Sequence, residues 1–244
     1  MAVQQSFDAV FQRFKNGNVL IQAWGDYDPG NPLITKAAIT AFIPTVEAGN
    51  TAVTDDDTDL GNARGVRNPL VFEIGVTNPA CLETRTRGIV NYLRSDPDNN
   101  AFLTSSKKVN AILKKMRPNY PKKVPGTPRG SGKSPSEKSF AAAVGQGKAV
   151  ITIITKLGAA YNPADSNLTV ANMTTLVNLI DTENGNVQSA LENYGESNQA
   201  RLKLYKGPQG LEKRRSAILK YLSSFPGLTK SDHYREYNQA IKGT

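Results

Sequence analysis

Cysteine and histidine are almost absent. The 244 residues include one of each, Cys81 and His233. A lone cysteine excludes an internal disulfide and a thiolate metal cage. A lone histidine leaves little for Ser–His or Cys–His catalysis, and no pattern sets Cys81 or a serine beside it. His233 therefore reads as a surface side chain, and no catalytic set can be assembled. Long apolar runs are also missing: none approaches the roughly 20 residues that cross a bilayer. The opening MAVQQSFDAVFQRF has no basic region followed by an apolar core, so no secretory signal is expected. These absences predict a cytoplasmic, non-enzymatic protein with no cofactor and no membrane association.

Charge is present in one place. The chain carries a net +9. Residues 107–138 hold ten basic side chains (Lys107, Lys108, Lys114, Lys115, Arg117, Lys122, Lys123, Arg129, Lys133 and Lys138) against one acid, Glu137, which is the whole net charge. The protein reads as a neutral molecule with a basic middle. Such a segment could track a phosphate backbone with steep salt dependence. Tyr120 is the only aromatic residue of 117–136, so base stacking is poorly supplied. Within it, GTPRGSGKS imitates a phosphate-binding loop, but five residues separate Gly126 from Gly132 where four are needed, and Pro135 follows at once. The prolines and glycines of 117–136 predict an extended, exposed linker.

The stretch VNYLRSDP (90–97) returns as LKYLSSFP (219–226). Sliding the chain by 134 pairs Thr35 with Thr169, Thr40 with Thr174, Asn50 with Asn184, Val53 with Val187, Gly61 with Gly195 and Arg67 with Arg201. A shift of 133 pairs Ser6 and Phe7 with Ser139 and Phe140. A shift of 129 pairs Glu83 with Glu212, Arg85 with Arg214 and Tyr92 with Tyr221. An ordered series of small shifts predicts two copies of one unit, about 4–116 and 137–243.

Strand signals are sparse and the apolar period is helical. After a cap at Asn167 or Thr169, positions Met173, Val177, Ile180, Asn184, Val187, Leu191, Tyr194, Asn198, Arg201 and Tyr205 alternate steps of four and three. That is a coiled-coil-like seam on a helix of about 37 residues, roughly 55 Å long. Asn50 and Asn184 interrupt matching seams; an amide that fixes register is favoured over a ligand contact. In the first copy Pro44 is expected to kink or break the helix. Asp57, on the seam, is expected to open it within TDDDTD. Shorter helices are predicted over about 5–22 and 138–157, 79–95 and 208–224, and 105–116 and 231–242, with Pro79 and Pro208 in first helical turns.

Two further constellations carry little chemistry. Asp55, Asp57 and Asp59 alternate like calcium-loop ligands, but Leu60 and Val66 stand where such a loop needs glycine and glutamate. Glu83 with Arg85 and Glu212 with Arg214 are two apart, so on a helix they do not face each other.

The phrases NLTVANMTTLVNLI, NYGESNQARLKLY and GLEKRRSAILKYLSS resemble those of uncharacterised helical proteins encoded by Bacteroidetes bacteria. The resemblance implies a duplicated, all-helical cytoplasmic bacterial protein and brings no activity. The sequence thus predicts an all-α chain of two tandem, duplicated up-down four-helix bundle units with long second helices, 1–116 and 137–244, joined by the basic linker 117–136. The expected role is a scaffold or adaptor offering helix faces to a protein partner. The alternative is nucleic-acid or other polyanion binding through 107–138, with Lys107, Lys108, Lys114, Lys115, Arg117, Lys122, Lys123, Arg129 and Lys133 as the contacts.

Overall fold

The computed structural model describes residues 6–72, 80–116, 137–224 and 232–242, with 137–139 described by backbone alone. Among these residues the regular structure is entirely helical: α1 (Phe7–Ala23), α2 (Lys36–Val71), α3 (Leu82–Arg94), α4 (Asn100–Met116), α5 (Glu137–Thr155), α6 (Val170–Lys206), α7 (Leu211–Ser223) and α8 (Asp232–Lys242). The expected linker 117–136, its glycine-rich imitation of a phosphate loop, Pro79 and Pro226 lie outside the described residues.

Side-chain oxygens cap the starts of α1, α2 and α6, accepting from backbone N–H groups that have no partner within the first turn. Ala9 N donates to Ser6 Oγ at 3.2 Å, Ala38 N to Thr35 Oγ1 at 3.1 Å and Asn172 N to Thr169 Oγ1 at 3.3 Å. Thr169, not Asn167, caps α6. At α3 the cap is Cys81, whose Sγ accepts from Thr84 N at 3.4 Å. Chain reversal after α5 uses Gly158 at φ 57°, a left-handed conformation that an L side chain rarely adopts.

Three local expectations are corrected. The helix α2 runs unbroken through Pro44, whose ring sits on the exposed side next to exposed Thr40, so the carbonyl left without a donor meets solvent. It also runs unbroken through Asp57, which is exposed rather than packed, so the seam is interrupted without any opening of the helix. Pro208 lies in a turn before α7 rather than inside its first turn: Gly207 N donates to Lys203 O at 2.8 Å and Gly210 N to Gly207 O at 2.9 Å, and Gly210 is the N-cap.

The chain divides into two compact units, Met1–Asp59 with Leu191–Thr244, and Leu60–Ala190. These are not the sequential blocks 1–116 and 137–244. Helix length supplies the physical reason. The 36 and 37 residues of α2 and α6 make rods of roughly 55 Å. Helices of 11–19 residues cover less than about 30 Å. One set of short helices thus covers about half of a rod, and the unit boundary falls inside both long helices.

In the first unit α1 packs on α8 and α7. Its core contains Phe11, Phe14, Ile21 and Trp24 from α1 and its C-cap, Ile39 and Val46 from α2, and Tyr205, Leu211, Ile218 and Tyr237 from the far end of the chain. In the second unit α4 packs on α3 and α5. Leu82, Ile89, Leu93, Phe102 and Val109 share that core with Phe140, Val150, Ile154, Met173, Val177 and Ile180. The α4–α5 pair is antiparallel, because Asn100 and Thr104 share a cleft with Ile153 and Lys156.

Candidate functional site

Helix α4 buries Phe102, Ser106, Val109, Leu113 and Met116, spaced four, three, four and three. That spacing turns the complementary face outward. Lys107, Lys108, Lys114 and Lys115 are all exposed on it, over about 12 Å of helix. No acidic residue occurs on α4, and among the described residues none of the four lysines joins an ion pair. Lys114 and Lys115 also sit in the last turn, where the helix dipole favours a cation. The cleft of about 500 Å³ where α4 meets α5 adds Lys156 beside Lys108, with the hydroxyls of Thr104 and Ser105 and the amide of Asn100. Sequence reasoning missed Lys156, since only the antiparallel packing brings it to Lys108. Of the predicted contacts, Lys107, Lys108, Lys114 and Lys115 thus share one face. Arg117, Lys122, Lys123, Arg129 and Lys133 lie outside the described residues.

The other charged constellations serve packing. Arg67, 1% exposed, lies 3.6 Å over the Phe140 ring and donates through Nη2 to Asn68 Oδ1 at 2.9 Å. Arg201 lies 4.5 Å over Phe7. Glu83 pairs with Arg87 one turn on, at 2.9 Å, rather than with Arg85. Arg85 instead donates through Nη1 to the carbonyls of Asn167 and Asn172, at 3.3 and 3.2 Å. Arg214 donates to the carbonyls of Gln209 and Leu33 and stacks 4.2 Å over Phe42. Burial lowers the proton affinity of both guanidiniums.

Each of these arginines edges a cavity. One, of about 480 Å³, is lined by Phe42, Lys203, Leu204, Pro208 and Arg214. The other, of about 410 Å³, is lined by Leu70, Arg85, Asn167, Thr175 and Leu176. Both guanidiniums bond backbone carbonyls, so the two clefts read as products of the clamp, although Arg85 Nε is buried with no hydrogen-bond partner among the described residues.

The seam asparagines also take structural partners. Asn50 Nδ2 donates to Tyr205 Oη at 3.0 Å, and Tyr205 Oη donates to the Phe7 carbonyl at 3.1 Å. Asn184 Nδ2 donates to the Phe140 carbonyl at 3.3 Å. His233 is half-buried rather than on the open surface: its ring stacks on Trp24 at 4.2 Å, and its Nε2 lies 3.4 Å from an Asp26 carboxylate oxygen. Asp55, Asp57 and Asp59 lie exposed on regular helix, and among the described residues no three metal-ligating side chains converge. Also among the described residues, no helix is long and apolar enough to cross a membrane.

Compared with known proteins, the chain matches no family model, no curated protein and no solved structure.

Proposed function

We propose that the protein is a non-enzymatic binding protein that takes a polyanion, such as a nucleic-acid backbone, on the lysine face of α4. The observation that carries this reading is four exposed lysines on one helix face free of acid, none of them in an ion pair among the described residues. Such a face attracts phosphate oxygens by charge and releases their counterions on contact. The basic residues 117–136 follow α4 directly in the chain and extend the same charge. The adaptor reading has less support. Among the described residues the exposed large apolar side chains are few, Val19, Val66 and Leu179, of which Leu179 lines a cleft with Leu70 and Leu176.

Fluorescence anisotropy of a labelled single- or double-stranded oligonucleotide, titrated from about 50 to 200 mM salt, tests this. Binding should weaken steeply with salt, and the variant K107Q/K108Q/K114Q/K115Q should lower the slope of log K against log salt by about 3. An unchanged slope, or no binding at low salt, refutes the reading.

We propose also that the chain arose by duplication of one helical unit, about 4–116 and 137–243, whose copies complete each other's cores. Matched contacts support this. Tyr27 Oη donates to the Ile34 carbonyl at 2.9 Å, and Tyr161 Oη to the Leu168 carbonyl at 2.7 Å. Tyr221 meets the Tyr27 ring edge-on at 5.2 Å and 82°, and Tyr92 meets Tyr161 at 5.3 Å and 90°. Asp28 N donates to Tyr221 Oη and Asn162 N to Tyr92 Oη, both at 3.2 Å. An experimental structure in which 34–71 fails to superpose on 168–205 would overturn the duplication.

A further inference from the structure

We propose that the two halves of this chain are separable binding partners, and that residues 137–242 of one copy dock on residues 7–116 of a second copy to form a segment-exchanged dimer. Each core is shared between the halves. In the first unit the core residues of the N-terminal half, Phe11 through Val46, lie in one cluster with Tyr205, Leu211, Ile218, Leu222, Tyr237 and Ile241. In the second unit the residues from Val71 to Met116 share theirs with Phe140 to Ile180.

The contacts across this division are close. Phe7 meets Tyr205 with centroids 4.6 Å apart, and Phe72 meets Phe140 at 5.5 Å. A Cβ on Gly17 would come within 2.6 Å of the Tyr237 ring, and one on Gly147 within 3.5 Å of Leu82. Arg214 and Arg85 clamp carbonyls of the opposite half, at Leu33 and Asn167.

An exchanged dimer rebuilds each of these contacts without a new interface, which is why exchange is a low-cost route to self-association. The competition is then between the effective concentration that the covalent link between the halves gives the attached partner and the concentration of free copies. The monomer wins in dilute solution, and the exchanged dimer wins when the tether can no longer close.

The antiparallel α4–α5 pair supplies the test. Deleting 117–136 joins Met116 to Glu137 without the few residues needed to reverse direction between antiparallel helices. The deletion variant should run at twice the monomer mass by light scattering, with wild-type helicity. A well-folded monomer overturns the proposal. Should the variant aggregate, a protease site placed at Gly126 of the full chain decides. After cleavage the halves should co-elute as one 1:1 species and reassemble from a mixture on removal of urea, whereas halves that elute apart overturn the proposal.

Discussion

Two glycines on α5, two residues apart, should respond to the same substitution with different costs. Gly147 is buried; a methyl there would lie 2.5 Å from Val177 Cγ2 and 3.5 Å from both δ-carbons of Leu82. Gly145 is exposed, with nothing within 4 Å of the position its Cβ would take. Replacing glycine by alanine inside a helix gains about 1 kcal/mol from backbone entropy. G145A should collect that gain nearly whole. G147A collects it too but overpacks a core of fully buried, χ1-restricted Val177, at a cost of about 1–3 kcal/mol. The two variants should therefore differ by about 1–3 kcal/mol, with G147A neutral to about 2 kcal/mol less stable than wild type.

Urea melts followed by circular dichroism at 222 nm measure the difference, and a second cycle identifies its cause. V177A alone should cost roughly 2 kcal/mol as a cavity. Paired with G147A it removes the clashing methyl, so the double variant should be about 1–3 kcal/mol more stable than the sum of the singles. If G147A matches G145A, or the cycle is additive, then α5 does not approach α6 closely enough for a methyl at 147 to meet Val177.

Burial, with the Tyr221 and Tyr92 phenols adding for Tyr27 and Tyr161, pushes the phenols of Tyr27, Tyr161 and Tyr237 well above their ordinary value. The unfolded phenols ionise from about pH 10 while the folded ones stay protonated, so their stability is complete below that pH. It should fall above it, by up to about 1.4 kcal/mol per pH unit for the deeply buried Tyr237 and by less for Tyr27 and Tyr161, where solvent screens the charge, as chemical melts between pH 9 and 11.5 would record. Tyr237 Oη is buried with no hydrogen-bond partner among the described residues, so Tyr237→Phe should stabilise the protein by about 1 kcal/mol at pH 7 and remove one phenol's share of the alkaline slope. Arg67→Ala should cost about 3 kcal/mol in thermal or chemical melts, while Arg67→Met, which keeps the stem packed against Phe140 without burying a charge, should cost clearly less.

The sequence resolves the helices because their signals are local. Alternating steps of four and three along 173–205 place α6 within a residue or two, and Thr35 and Thr169 mark the starts of the long helices. Proline was the least informative signal. Pro44 faces solvent, where a missing donor costs little, and Pro208 belongs to the turn before α7. The exposure of Lys107, Lys108, Lys114 and Lys115 also follows from local spacing. The contribution of Lys156 does not, because it comes from the turn just after the antiparallel neighbour α5.

By itself, then, the order of residues determined that the described regular structure is helical, where its long helices begin, and that its positive charge gathers at one place along it. Tertiary packing alone decided which helix covers which stripe. Periodicity says that a face must be buried but not against what, and a rod of roughly 55 Å has room for two sets of short partners. The partition into Met1–Asp59 with Leu191–Thr244, and Leu60–Ala190, came from covering both ends of both rods.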